Sequence, residues 1–239
     1  MTTTIPTFEQ VTLSGKDAAK FLQGQLTINI EKLTDDFLPC AISDLKGRVQ
    51  FGLWARRIDD ETFALVTSAD CMSDLTAHIK KYGAFSKFTR SDVTPIYPSI
   101  ENSQPTFSDD ADQANAQNWA NLSIQTGNYW ITKAIQGLFQ PQELRLHQRG
   151  GVDYDKGCYL GQEIIARLWF KASPKAYLHR ILLTEQANDG DKLGKVQIVN
   201  SVPTDGGFDA LVIGSPENVA EIGEILPLPD KLMGDVARG

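Results

Sequence analysis

The chain has 239 residues, 41% of them hydrophobic, and a formal net charge of −7. This length can bury a sizeable core in one large domain or two smaller ones, and the composition is typical of a soluble globular protein. Because a grip on a phosphate backbone needs a basic footprint, the acidic balance argues against a direct nucleic-acid partner. No apolar run is long enough to span a bilayer and the N-terminus lacks a secretory pattern, so we expect no membrane partner and a cytoplasmic location.

Motifs for metals and nucleotides are missing from the sequence. The cysteines, Cys40, Cys71 and Cys158, lie far apart and form no C-x-x-C pair, which argues against a zinc ribbon or a disulfide framework. The three histidines show no metal-ligand spacing, and neither a Walker loop nor a G-x-G-x-x-G motif occurs. We therefore predict no metal site.

The N-terminal stretch predicts a strand followed by a short helix. Residues 7–13 alternate in polarity, and Ser14 with an acid three residues later forms a capping-box pattern. The helix that follows should bury Ala18, Phe21 and Leu22 and end at Gly24. Gln23 and Gln25 flank this glycine, and their amides suit either a planar heterocycle or a helix cap; both interpretations stay open.

The next segment predicts an antiparallel sheet with one long helix. Strands are expected at 37–44, 49–57, 62–67 and 85–89, with a turn over 44–48. A helix over 69–82 is indicated by an apolar stripe, which consists of Met72, Leu75, Ile79 and Tyr82. This order of elements predicts an α+β sandwich.

The rest of the chain divides into a polar middle and a β-rich end. Residues 95–128 are predicted as mostly loop, with short strands near 119–124, and 129–138 as an amphipathic helix. After a linker over 171–175, strands are expected at 177–184, 193–199, 208–213 and 221–226. Short strands at this spacing predict a small C-terminal antiparallel β-barrel over 175–239.

The most specific stretch is residues 156–163, which read KGCYLGQE. Leu160, Ile164 and Leu168 have helical spacing, so Cys158 should lie just ahead of a helix or in its first turn. Exposed amide groups there and the ammonium of Lys156 would favour the thiolate and make this cysteine reactive. The alternative is a buried cysteine that serves only as a small apolar side chain at a tight turn.

These residues resemble the signature of the YgfZ family, which are folate-binding proteins related to the T-protein (aminomethyltransferase) of the glycine cleavage system. Three further phrases are similar to those of the family: FLQGQLT at 21–27, the turn that contains Asp44, Gly47 and Arg48, and YGAFSK at 82–87. The resemblance extends over nearly the whole chain.

The resemblance implies a T-protein-like fold with ferredoxin-like α/β sandwich regions over 1–170, divided into 1–94 and 95–170, and a β-barrel over 175–239. It implies that tetrahydrofolate binds in a central opening, and that the partners are iron–sulfur enzymes or cluster-assembly proteins, including an enzyme that methylthiolates tRNA. Lys156 and Cys158 are the residues that it ties to activity. The expected folate-binding residues are Gln23, Gln25, Asp44, Arg48, Tyr159, Gln162 and Glu163.

The sequence also departs from the family. Asn29 stands where the family often has Asp, the region 95–128 is short, and the catalytic acid of the T-protein has no confident counterpart. True aminomethyl transfer needs a group that manages protons at the folate nitrogens, so this absence disfavours it. A folate-dependent one-carbon transferase and a Cys-nucleophile hydrolase stay as alternatives to an accessory protein.

Overall fold

The computed structural model describes residues 6–234 and 236, which form two antiparallel sheets. The first sheet has seven strands in the order β2-β3-β4-β1-β6-β7, with β5 paired to β1. Its strands are β1 (Phe8–Ser14), β2 (Leu38–Ser43), β3 (Val49–Arg57), β4 (Thr62–Ser68), β5 (Thr89–Arg90), β6 (Thr94–Glu101) and β7 (Gln104–Ser108).

Two helices cover one face of this sheet, α1 (Ala18–Gln23) and α2 (Ala69–Tyr82). The apolar stripe of α2 buries Met72, Leu75 and Ile79, as its spacing predicts, and the helix ends at Gly83. Tyr82 departs from that prediction, because it is 46% exposed at the end of the helix. The bounds of β2, β3, β4 and α2 agree with the sequence analysis to within about one residue.

The second sheet has five strands in the order β12-β8-β11-β10-β9 and curls into a half-barrel. Its strands are β8 (Tyr177–Leu183), β9 (Lys192–Leu193), β10 (Val196–Thr204), β11 (Gly207–Gly214) and β12 (Glu224–Leu226). The remaining helices are α3 (Ala116–Thr126), α4 (Gln162–Lys171) and α5 (Pro216–Ala220). No helix among the described residues has the length and apolar character needed to cross a membrane.

An aromatic core lies between the two sheets. Phe8 and Trp54 from the first sheet pack against Trp119 of α3, with ring centroids 4.9 to 5.9 Å apart. Leu178 and Leu211 of the second sheet belong to the same buried cluster. Because this cluster draws on both sheets, each sheet provides part of the other's interior.

Residues 116–126 are the helix α3, and the prediction of loop with short strands near 119–124 is wrong. Trp119, Ala120, Ser123 and Ile124 are buried at helical spacing, but the surrounding Asn and Gln residues conceal the period. Gly127, with φ 68°, ends the helix in the left-handed conformation that glycine adopts without strain.

The predicted helix over 129–138 is also wrong, because this stretch is extended and then turns. The side chain of Asn200, in β10, accepts from the Trp130 N–H at 3.0 Å and donates to the Trp130 carbonyl at 3.0 Å. Both backbone groups that a helix would need are therefore occupied by a residue seventy positions away.

Two local predictions near α1 and α2 are corrected as well. Ser14 is the last residue of β1 and does not cap α1, whose N-cap residue is Asp17 without a side-chain cap. The carboxylate of Asp17 instead accepts from the Lys87 N–H at 2.7 Å. The strand predicted over 85–89 begins only at Thr89, because Ser86 N–H donates to Gly83 and closes a turn that leaves Phe85 in solvent.

Candidate functional site

Cys158 is the exposed thiol of the chain, whereas Cys40 and Cys71 are buried. It lies in the loop that leads into α4, ahead of the first helical residue Gln162, as the spacing predicts. Its exposure excludes the alternative of a buried structural cysteine. Burial raises the pKa of both the Cys40 and the Cys71 thiol to about 12, so these two stay protonated at neutral pH.

One end of this loop is fixed by Lys156, whose side chain is buried. Its ammonium donates to the carbonyls of Leu26 at 2.6 Å and Ile28 at 2.9 Å, and it lies 4.8 Å from the ring centroid of Tyr159. Burial lowers the pKa of Lys156 to about 8, while the nearby Asp153 carboxylate opposes that fall. Lys156 thus joins the loop to segment 26–28 rather than facing solvent.

The other end of the loop is fixed at Leu160 and Gly161. Leu160 N–H donates to the Gly24 carbonyl at 3.1 Å. Gly161 has φ +81°, and a Cβ at that position would lie 2.4 Å from the Asp44 carbonyl oxygen, so only glycine fits. Gly157 between the two fixed ends has open space around it. The backbone therefore presents Cys158 at the top of a loop that is held at both ends.

Charges beneath the loop are paired. Asp153 is buried and accepts from the ammonium of Lys32 at 2.6 Å and from the Asp155 N–H at 3.1 Å. Burial alone would raise the pKa of Asp153, but the hydrogen bond from Lys32 outweighs it with help from the Asp155 N–H, so that pKa lies below its ordinary value. Burial raises the pKa of the neighbouring Tyr159, so this phenol stays protonated.

The structure gives the two predicted glutamines local partners. Gln23 accepts from the Ile30 N–H at 2.9 Å and so caps the 3-10 turn over 30–32. Gln25 Oε1 lies 2.8 Å from His78 Nε2. His78 in turn lines an open cleft of about 370 Å³ between α2 and β3. Gln25 therefore does not line the cleft itself; it contacts His78, which does.

Asp44 and Arg48 are brought together in the turn between β2 and β3. Asp44 accepts from the N–H groups of Lys46 at 2.8 Å and Arg48 at 3.0 Å, and the Arg48 guanidinium donates to the Leu138 carbonyl. Gln162 and Glu163 open α4, with Glu163 exposed in its first turn. All four stand beside the Cys158 loop, because Gly161 packs directly on this turn.

A buried chamber behind the loop was not visible in the sequence. It is lined by Pro39, Cys40, Gly52, Leu53, Trp54, Tyr129, Leu146 and Arg149. The Tyr129 hydroxyl is buried beside the Arg149 guanidinium but makes no hydrogen bond of good geometry in the described part of the chain. Burial lowers the pKa of Arg149 and raises that of Tyr129. The Arg149 guanidinium also donates to the side-chain oxygen of Asn128, so the chamber contains a partnered cation and a phenol within an apolar wall.

Cys40 connects the chamber to Lys156 at the start of the Cys158 loop. This thiol lines the chamber, and the charge of Lys156 acts on it, since it opposes the rise in the Cys40 pKa. The chamber itself has a volume of about 10 Å³, which is room for roughly one water molecule. A ligand the size of a pterin would therefore need the chamber to widen. No group of three or more metal-ligating side chains occurs among the described residues.

In sequence, the chain is similar to proteins that share one name. No family model matches it. A protein named tRNA-modifying protein YgfZ from Klebsiella pneumoniae (strain 342) is 29% identical, with 73% of this chain and 69% of that protein covered. A protein of the same name from Escherichia coli O157:H7 is 27% identical, with 77% and 72% covered. The predicted resemblance to YgfZ proteins is confirmed.

The fold is similar to that of a solved structure. The crystal structure of glycine cleavage system aminomethyltransferase T from Bartonella henselae superposes with a TM-score of 0.63 at 12% identity, with 87% of this chain and 76% of that chain covered. The predicted T-protein-like α+β fold is thereby confirmed.

Proposed function

We propose, from the premise that this chain is a relative of the YgfZ proteins, that it is a cytoplasmic reduced-folate-binding accessory protein for iron–sulfur enzymes. In this proposal Cys158 is the residue that meets the partner enzyme or a cluster-assembly protein, as a redox thiol or a transient ligand. Its effect on tRNA methylthiolation is indirect and passes through the enzyme that it maintains.

The observation that carries the proposal is the loop fixed at both ends with the exposed thiol at its top. A thiol that served packing would be buried, as Cys40 and Cys71 are. A thiol that must meet a large partner needs solvent access and a backbone that holds its position. The hydrogen bonds of Lys156 and Leu160 supply the second condition.

Lys156 acts in this proposal as a positioning residue. Its ammonium donates hydrogen bonds to the carbonyls of Leu26 and Ile28. In this role it holds the loop in place and does not contact a reacting atom. A charge-assisted hydrogen bond is worth about 1.5–3 kcal/mol, and two of them keep segment 26–28 and the loop together.

Tetrahydrofolate is the proposed ligand, and the chamber residues suit it chemically. Arg149 would pair with an oxo or carboxylate oxygen beside its hydrogen bond to Asn128, the Tyr129 hydroxyl would donate to the ligand, and Trp54 would cover a ring face. A bound reduced folate supplies a one-carbon carrier and a mild reductant. Gln23, Gln25, Asp44, Arg48, Tyr159, Gln162 and Glu163 stay predicted folate-binding residues, and the division into 1–170 and 175–239 stays a predicted domain boundary.

The test separates folate binding from the thiol. Cells that lack the gene are given wild-type protein or Cys158→Ser, and the methylthiolated tRNA that an iron–sulfur enzyme makes is measured. We expect at least a tenfold loss of rescue with Cys158→Ser, and unchanged calorimetric titration of that purified variant with tetrahydrofolate. The matched control is Cys71→Ala, which removes a buried thiol and should rescue. Full rescue by Cys158→Ser would remove the thiol from the proposal.

One-carbon transfer is the alternative that the same protein can test. None of the described residues that line the chamber is a carboxylate, which leaves no acid there to manage protons at the folate nitrogens. We therefore expect no turnover of tetrahydrofolate with formaldehyde or an aminomethyl donor. Steady turnover would favour the transferase over the accessory protein.

A further inference from the structure

Arg149 brings a positive charge to the chamber, and no carboxylate in the described part of the chain forms an ion pair with it. The ion pairs observed there involve other residues, and the nearest acid along the chain, Asp153, pairs with Lys32. A guanidinium has five N–H donors, and that of Arg149 makes one hydrogen bond of good geometry to the described residues, on the side-chain oxygen of Asn128. Its other donors are therefore available to a ligand.

The position of this guanidinium is set by Asn128, which follows the glycine that ends α3. The Asn128 N–H donates to the Ser123 carbonyl at 2.7 Å, and its side-chain amide donates to the Ser123 hydroxyl at 3.1 Å. The side-chain oxygen of Asn128 accepts from the Trp54 indole at 3.3 Å and from Arg149. One buried, uncharged side chain therefore positions two walls of the chamber.

The groups around Arg149 leave its charge largely uncancelled. Burial raises the pKa of the Tyr129 phenol and raises that of the Cys40 thiol to about 12, so both are neutral. The C-terminus of α3 supplies only about half a negative charge. None of the described residues that line the chamber is a carboxylate. The lining of the chamber is therefore positive.

The size of the chamber limits which anion can meet this charge. Its volume of about 10 Å³ leaves room for roughly one water-sized atom. A carboxylate can place one oxygen there, and its planar shape matches the fork of donors on a guanidinium. A phosphate has oxygens on all sides of its central atom and needs a wider cradle with several donors. The chamber therefore suits the end of a carboxylate better than a phosphate.

We infer that the chamber is a carboxylate site, in which Arg149 pairs with the carboxylate and Asn128 holds the guanidinium in place without neutralising it. The Tyr129 hydroxyl lies beside Arg149 and donates to the same carboxylate. This carboxylate belongs either to a small free anion or to the end of a longer ligand. That the longer ligand is a reduced folate rests on the proposed function; that the chamber takes a carboxylate does not.

Thermal unfolding in matched salts tests the site. The full chain is melted in sodium formate, sodium acetate and sodium chloride at equal ionic strength and pH. An anion that binds the folded chain, present at about ten times its dissociation constant, should raise Tm by about 3–6 °C. We expect this rise in formate and in acetate, relative to chloride.

Three variants assign the effect to the chamber. Arg149→Met should abolish the rise in Tm, whereas Arg167→Met, which removes an exposed arginine of α4, should keep it. Asn128→Asp retains the guanidinium but gives it an internal carboxylate of the same shape, and the Ser123 hydroxyl can donate to the new oxygen. This variant should melt at a higher temperature than the wild type in chloride and should no longer respond to formate.

Calorimetric titration identifies the source of the carboxylate. Tetrahydrofolate, and a tetrahydropterin that lacks the carboxylate tail, are titrated into the wild type and Arg149→Met. An affinity at least fivefold lower for tetrahydrofolate alone would assign the carboxylate to folate. Unchanged affinity for both would assign the site to a small free carboxylate and would move folate binding out of the chamber, while the formate response would still support the inference.

Three results would overturn the inference. The first is an equal Tm in formate and chloride, and the second is a formate response that survives Arg149→Met or Asn128→Asp. The third is a response that Arg167→Met also removes, because it would show that formate acts on surface arginines in general. If Arg149→Met does not fold, Asn128→Asp decides, since it keeps the guanidinium in the chamber.

Discussion

The two faces of the seven-stranded sheet are packed by different kinds of residue. The face under α1 and α2 is mainly apolar, with Leu75 and Met72 buried against Phe63 and Leu65. The face towards the second sheet contains Arg149 and the buried Tyr129 hydroxyl. The first face contributes stability mainly through buried apolar side chains, with few polar groups to satisfy. The face towards the second sheet buries polar groups, which lowers stability but provides partners for a ligand.

The largest expected effect is on the apolar face. Leu75→Ala leaves a cavity where no polar group can compensate, so the free energy of unfolding should fall by about 2–5 kcal/mol in denaturant titration. Tetrahydrofolate affinity and Cys158 alkylation of the folded variant should match the wild type. A loss of folate affinity at a temperature where the variant is fully folded would break the division between the faces.

The second largest effect on stability is expected at Gly161, where the Cys158 loop packs on the turn after β2. Gly161→Ala puts a methyl group 2.4 Å from the Asp44 carbonyl at a positive φ, so about 2–3 kcal/mol of stability should be lost and Cys158 alkylation should change rate. Gly157→Ala is the matched control in the same loop, because a Cβ there meets no atom within 4 Å. Equal stability of the two variants would show that the loop is not held at Gly161.

A pH-dependent effect is expected from Lys156. Its pKa falls from 10.5 to about 8 on folding, so between these values the unfolded chain holds more of this proton. The contribution of Lys156 to stability is therefore lowest below pH 8 and rises towards pH 10.5, by up to about 3 kcal/mol. The stability of the wild type minus that of Lys156→Met, followed by urea unfolding from pH 7 to 10.5, should increase. A flat difference would mean that the amine is solvated.

The smallest effect on stability is expected in the chamber. Tyr129→Phe removes a hydroxyl that has no well-formed hydrogen bond, so stability should change by less than about 0.5 kcal/mol. If folate uses that hydroxyl, affinity should fall about three- to tenfold in calorimetric titration. Unchanged affinity would move the folate site away from Tyr129, and the cleft beside His78 would then be the next place to examine.

Elements with a local pattern could be predicted from the sequence. Helix α2 has an apolar stripe, lysines in its last turn and a glycine at its end, and its bounds follow from these. The Cys158 loop could be placed ahead of α4 because glycines and a helical period surround it. In both cases the residues that place the element along the chain are its neighbours in sequence.

Elements decided by distant partners could not be predicted. Residues 129–138 have a helical period, but Asn200 occupies the backbone of Trp130 from another sheet. The chamber was missed for the same reason, since Tyr129 and Arg149 lie in irregular segments twenty residues apart and meet only in the folded chain. A glycine-rich stretch around a lone arginine, as at 149–151, was the only signal in the sequence, and it is a weak one.

The two hydrogen bonds between the Asn200 side chain and the Trp130 backbone have a consequence for the unfolding of this protein. Asn200 is completely buried, and it also donates to Asp189, which accepts from Thr132. Detaching the second sheet would break both of these hydrogen bonds and expose the aromatic core that the two sheets share. We therefore expect the two sheets to fold and unfold together, and we expect a fragment that ends before β10 to expose an aromatic surface and aggregate.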